Sequence, residues 1–308
     1  MNYQIKHKTN KNHLILFGFK SKIFLFFILL LLCFFVFYLN YNKKPFYFDQ
    51  YETYIYNDIK IELEKTKCSI MWANQREFLN GIIRKYKPKK IVEIGVAKGG
   101  SSIIILNAIK DLKNSHLYSI DLGDVPIVGS CVNKYFPYLS KKWTLFKGSI
   151  TANYIEKIGK NIDLAFIDSA HFEPGEILDF LMILPFLKEK AFVIIHDIDH
   201  QITYSKGPKK RNEWAPYIIF NLIRGKKYLP SGEGILNKDI GVIQLEKNQK
   251  RFIHDYCRAL GGQWRFFPQE IHIQLILKFF EKYYDNECLT ILKETIEFNR
   301  DFVKLNPI

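Results

Sequence analysis

Three hydrophobic regimes follow one another along the chain. From Ile23 to Leu39 the run IFLFFILLLLCFFVFYL carries no charge and is apolar on every face, about 25 Å of helix at 1.5 Å per residue. Lys20 and Lys22 precede it, and Tyr38, Tyr41, Lys43 and Lys44 border its far end, as at a membrane interface. No small-residue cleavage site follows, so the run predicts an uncleaved transmembrane anchor rather than a signal peptide. Residues 41–70 mix aromatic and charged side chains with weak periodicity and predict a stalk or docking segment.

From Gln75 onward helical and strand periods alternate. Phe78, Leu79, Ile82, Ile83 and Tyr86 recur at helical spacing until Pro88 stops the helix. Strands are then predicted at 91–94, 117–120, 143–146, 163–167 and 192–195, with helices at 102–112 and 175–184 and a closing strand in GVIQLEK. Such alternation predicts an α/β fold whose doubly wound, mostly parallel sheet is covered on both faces. Beyond Arg251, EIHIQLILKFFEKYY and LTILKETIEFNRDFV have helical spacing and are expected to cap the sheet or form a homo-oligomer contact. The domain organisation read this way is a basic tail (1–22), an anchor (23–39), a linker (40–70), the α/β domain (71–250) and a helical extension (251–308).

Composition changes this picture little. The formal charge of +14 comes from lysines scattered among Ile, Asn, Phe and Tyr, without the arginine block that grips phosphates, so no nucleic-acid partner is expected. The five cysteines, Cys33, Cys68, Cys131, Cys257 and Cys288, are odd in number and never spaced as CxxC. They are read as free, mostly buried thiols in a reducing compartment.

The candidate chemistry lies where strands end, since ligands of open α/β sheets bind at the carboxyl ends of the strands. IVEIGVAKGGSS (Ile91 to Ser102) places Glu93, Gly95, Gly99 and Gly100 at the first such point, with Ser101 and Ser102 available to cap the next helix. Its glycine spacing is not GxGxxG, and Lys98 precedes the glycines, so neither a dinucleotide fingerprint nor a P-loop fits. LYSIDLG ends the second strand on Asp121, where a carboxylate can accept both ribose hydroxyls, as it also does in dinucleotide enzymes. Asp168 ends the fourth strand and Asp197 the fifth, with His171 and His196 beside them. Either histidine has an ordinary pKa suited to general-base work. Glu176 and Asp179 are read as solvated or capping charges, and Asp199 and His200 as loop residues.

The ExGxxxG pattern from Glu93 to Gly99 resembles the first motif of class I S-adenosylmethionine (SAM)-dependent methyltransferases. KGSI and IDLAFIDSAHFEPGEILDFLMILPFLKEKAFVIIHDI match later parts of that superfamily in order, in particular the branch with cephalosporin-hydroxylase-like and sugar or macrolide O-methyltransferases. The resemblance covers roughly residues 75–245. It implies a Rossmann-like methyltransferase sheet in which Glu93, Gly95, Gly99, Gly100 and Ser101 hold the methionine part of SAM. Asp121 would take the ribose, Gly148 and Ser149 the adenine, and Asp168 would lie beside the cofactor. It also implies methyl transfer to a sugar or other small hydroxyl acceptor, with His171, His196 and Asp197 as the catalytic set. Relatives with a metal carry acidic residues at positions matching Asp168, His196 and Asp197, which makes these three candidate ligands for magnesium or manganese.

Two other classes stand beside this reading. A nicotinamide-dependent enzyme is opposed by the glycine spacing, and an inactive cofactor-binding scaffold by the intact carboxylates and histidines. A methyltransferase of nucleic-acid amino groups would show Asn/Asp-Pro-Pro-aromatic after the fourth strand, where this chain has Asp-Ser-Ala-His.

Sidedness is pulled two ways. Lys6, Lys8, Lys11, Lys20 and Lys22 precede the apolar run and only Lys43 and Lys44 follow closely, which by the positive-inside rule puts the catalytic domain across the membrane. Cofactor supply and free thiols favour the cytosol instead. The expectation adopted is a single-pass protein whose catalytic domain faces the cytosol and acts on a small-molecule or glycan acceptor at the membrane, such as a glycolipid.

Overall fold

The computed structural model describes residues 46–47, 57–199, 214–230 and 239–305. The predicted anchor at 23–39, the basic tail, and the basic stretch from His200 to Glu213 lie outside the described residues. Among those described, no helix is long and apolar enough to cross a membrane.

Among the described residues eight strands form one sheet: β1 (Phe46–Tyr47), β2 (Lys90–Ile94), β3 (His116–Asp121), β4 (Trp143–Lys147), β5 (Ile162–Ile167), β6 (Leu187–His196), β7 (Gly225–Leu229) and β8 (Ile240–Leu245). Their order is β1-β7-β8-β6-β5-β2-β3-β4. β6, β5, β2, β3 and β4 run parallel, and β8 is antiparallel to both neighbours. β2 hydrogen-bonds to β3 on one side and β5 on the other, so the order reverses beside it and a crevice opens at its carboxyl end.

Successive residues of the central strands feed two cores, which is why they read as unbroken apolar runs. Ile91, Leu164, Phe166 and Ile194 pack with Phe78, Leu79 and Ile82 of α2 (Ala73–Tyr86) and with Ile103 to Ile105 of α3 (Gly100–Ile109). Val92, Ala165, Ile167, Val193 and Ile195 pack on the opposite face with α6 (Gly175–Ile183). That second core also takes in Phe279 and Phe280 of α9 (Glu270–Tyr283) and Leu292 of α10 (Asn286–Leu305). Each fully buried side chain of this size contributes about 1.5–3 kcal/mol relative to exposure, and the C-terminal helices thereby complete the domain's own core.

Three expectations change here. Part of the linker is a helix, α1 (Asn57–Thr66), whose Ile59 and Leu63 are buried in the α2 core; two inward apolar positions one turn apart are too few to show a period. Glu176 is fully buried rather than solvated. Among the described residues the cysteines are not free: Cys68 pairs with Cys131 and Cys257 with Cys288. Residues far apart in sequence meet with Cα atoms 6.0 and 5.6 Å apart, a separation that only tertiary packing sets.

Candidate active site

The glycine turn after β2 has its shape imposed by close backbone contact. Gly95 has φ +87°, and a Cβ there would lie 1.8 Å from the Asp168 carbonyl oxygen, so no other residue fits between β2 and β5. Gly100 is confined as well, because a Cβ would lie 2.6 Å from the Cys68 carbonyl oxygen. The Cys68–Cys131 disulfide ties that overlying segment to α4 (Ser130–Tyr135).

Two carboxylates brace the turn. Asp121 Oδ2 accepts the backbone N–H groups of Val96 (2.9 Å) and Ala97 (3.0 Å), and its Oδ1 accepts that of Gly123 (2.7 Å). Glu93 is fully buried beneath the turn and accepts the hydroxyls of Ser101 (2.6 Å), Ser102 (2.6 Å) and Ser119 (2.5 Å). Burial pushes its carboxyl up to about 7, against the pull of the three hydroxyls. Ser101 and Ser102 lie inside the first turn of α3, with Gly99 as the N-cap, and face Glu93 instead of capping.

A cavity of about 980 Å³ opens at these strand ends, at the upper end of the range for small-molecule sites. Gly95, Gly100, Ser101, Asp121, Gly148, Ser149, Asp168 and His171 are on its wall. Glu93 and Gly99 support the wall from behind, and His196 and Asp197 are set back from it. Sequence reading missed the far wall, formed by Phe266 to Gln269, His272 and Ile276. The helical spacing of this stretch announces α9 but not what its first turns face. Asp179, read as a solvated or capping charge, is on the wall as well. It accepts the hydroxyls of Thr151 (2.7 Å) and Ser169 (2.6 Å).

The ends of β5 and β6 bring four titratable groups together. His196 Nδ1 lies 3.4 Å from Asp168 Oδ1 and 3.2 Å from Asp197 Oδ1, yet makes no hydrogen bond. Asp197 holds a positive φ of 56°, a conformation that Asp tolerates better than most residues. His171 Nε2 is 3.2 Å from Asp197 Oδ2, and its Nδ1 is 3.2 Å from Glu176 Oε1. Burial pulls the His171 imidazole down, but the Glu176 hydrogen bond and the charges of Glu176, Asp197 and Asp168 outweigh it and push His171 up to about 9. Burial opposes the charge on His196 as well, and Asp168 and Asp197 together hold it well above the ordinary range.

Ligand atoms of Asp168, His196 and Asp197 all lie within 4.8 Å of one another. A buried imidazole nitrogen without a hydrogen bond, between two carboxylates, is a donor set that can hold a divalent cation. The three residues therefore fit a cation.

Residues 92–198 match the family described as a methyltransferase domain. No curated protein matches the sequence. Among solved structures, the chain is similar to the O-methyltransferase TomG from Streptomyces achromogenes, involved in tomaymycin synthesis and in complex with SAM. The identity is 14%, over 68% of this chain and 95% of that one, with a TM-score of 0.46. An O-methyltransferase from Bacillus cereus in complex with S-adenosylhomocysteine (SAH) is 14% identical over 67% of this chain and 95% of that one, with a TM-score of 0.47. An SAH-bound methyltransferase from Podospora anserina is 16% identical over 67% and 92%, with a TM-score of 0.44.

Proposed function

We propose that the protein, whose residues 92–198 match a methyltransferase-domain family, transfers a methyl group from SAM to a hydroxyl of a small-molecule or glycan acceptor, with His171 as general base. The observation that carries this reading is the convergence of Asp168, His171, His196 and Asp197 at the strand ends beside the glycine turn. In this reading the first turn of α3 takes the methionine carboxylate, Asp121 the ribose, and Gly148 and Ser149 the adenine.

Methyl transfer from a sulfonium is an in-line displacement, so the protein must align the acceptor oxygen and receive its proton. His171 is on the cavity wall, while His196 is only 6% exposed and set back. That difference supports His171 as the base and His196 as a holding group. His171, pushed up to about 9 by its carboxylate neighbours, takes the acceptor proton at Nε2 in the fraction that has lost its own proton, so transfer rises with pH toward that value, and Glu176 keeps the ring oriented through Nδ1. Asp168, His196 Nδ1 and Asp197 would hold a divalent cation, which when bound supplies Lewis-acid polarisation of the acceptor hydroxyl.

The predicted anchor makes the protein single-pass in this reading, with its acceptor at the membrane. The pairing of four cysteines removes the thiol argument for a cytosolic domain. Together with the lysines preceding the apolar run, it supports a domain on the opposite side from the N-terminal tail, where SAM would have to be supplied. Protease treatment of sealed vesicles of known orientation tests this: digestion of the domain from the cytosolic side overturns it.

Calorimetry of the full chain in detergent, with SAH and NAD as separate probes, tests the methyl-donor site. Micromolar SAH binding is expected, about −8 kcal/mol. NAD binding with no response to SAH overturns the reading.

A further inference from the structure

Position 196 carries a histidine where an all-carboxylate cation site would have a third acid, and the side chain that orients it comes from outside the matched domain. His196 Nε2 lies 3.2 Å from Gln75 Oε1 on α2. The same oxygen accepts the Trp72 backbone N–H at 2.8 Å. A backbone N–H can only donate, so the Gln75 atom it meets is the amide oxygen, and that oxygen can only accept. His196 Nε2 must therefore carry a proton, and Nδ1 is the nitrogen presented to Asp168 and Asp197. Gln75 is 1% exposed, and its own Nε2 makes no hydrogen bond. The side chain thus gives up one donor's satisfaction to keep its oxygen on Trp72 and His196.

Ligand chemistry follows from that orientation. Two carboxylates and an imidazole bring one negative charge fewer than three carboxylates, and one nitrogen donor. Magnesium takes oxygen ligands and keeps its waters, whereas imidazole suits first-row transition metals. A buried partner on the far ring nitrogen fixes tautomer and ring plane, as in established histidine metal sites. Resting on the reading above that this site holds a cation, we propose that Gln75 locks His196 Nδ1 as the third ligand and that the site selects a first-row transition-metal dication over magnesium.

Cobalt(II) and magnesium are the probes, added to the full chain in detergent, with cobalt read by its visible absorption and magnesium by competition. Cobalt is expected to bind more tightly than magnesium, with a spectrum showing nitrogen ligation. His196→Glu should lower the cobalt-to-magnesium preference at least about tenfold and remove the nitrogen signature. Gln75→Leu should weaken cobalt about 10–100-fold. Gln75→Glu, which can still accept from both Trp72 and His196, should retain cobalt binding, and SAH affinity checks that each variant is folded. Cobalt binding that ignores Gln75→Leu overturns the orienting role. An unchanged preference in His196→Glu overturns the selectivity. If SAH binds and neither cation does, the cation reading falls and this inference with it, while the methyl-donor assignment stands.

Discussion

Glu176 Oε1 lies 3.2 Å from His171 Nδ1, and the contact turns the opposite ring nitrogen toward Asp197, 3.2 Å away. Glu176 is fully buried, so this carboxylate serves His171 and the Ser169 backbone N–H rather than solvent. His171→Ala is expected to reduce transfer of tritiated methyl from SAM into a membrane fraction by about 10²–10⁴-fold. Glu176→Gln should reduce it by a smaller factor, because the ring remains but is less firmly held. SAH affinity should be nearly unchanged in both. Loss of SAH binding in proportion to activity would assign these residues to the cofactor site instead.

Asp121 braces the glycine turn through three backbone N–H groups and lines the cavity. Asp121→Ala should weaken SAH binding by about 1.5–3 kcal/mol, the cost of removing a charge-assisted acceptor, and lower the melting temperature as well. Titration calorimetry and a thermal melt on one preparation separate the two effects.

Gly95→Ala is expected to abolish SAH binding, since its Cβ would stand 1.8 Å from the Asp168 carbonyl oxygen at a positive φ. The structure can accept that atom only by separating β2 from β5. Wild-type affinity in this variant would show that the turn is looser than its geometry requires.

Glu93 gives a pH prediction with a definite sign. Burial raises its folded carboxyl to about 7 from the ordinary 4.5, so the native state binds the proton more tightly than the unfolded chain does. Its contribution to stability is complete below the unfolded value and is lost as pH rises through about 7, on the order of 3 kcal/mol in all. Urea midpoints at pH 5 and pH 8 should differ in that direction, and Glu93→Gln should flatten the difference. An undiminished slope in the variant would place the titrating group elsewhere.

The disulfides predict a thiol count. In denaturant without reductant, one of the five cysteines, Cys33, should react with a thiol reagent, and after reduction all five should. Cys68→Ser should destabilise the domain by about 2–5 kcal/mol. It should also weaken SAH binding, because the Cys68 segment lies directly over Gly100. Five reactive thiols before reduction would restore the cytosolic placement.

The alternating architecture and the chemistry-bearing strand ends are written in the local pattern of the chain. Strands buried on both faces must be continuous apolar runs, and a turn that packs against a neighbouring backbone must use glycine, so 91–94, 163–167 and Gly95 are legible from local pattern alone. What the tertiary structure decided depends on contacts between distant residues. Glu93 reads as a ligand-facing acid because it ends a strand, but its strand face is the one covered by α3, so three serine hydroxyls enclose it. Cys68 and Cys131 are 63 residues apart, and Gln75 and His196 are 121 apart; no periodicity or spacing pairs them. The cavity's far wall from Phe266 to Ile276 belongs to a segment whose period reports only that it is helical. Local pattern is set by which residues must be buried, whereas the partners in a site are set by which elements pack side by side, and a single chain does not state that order in its letters.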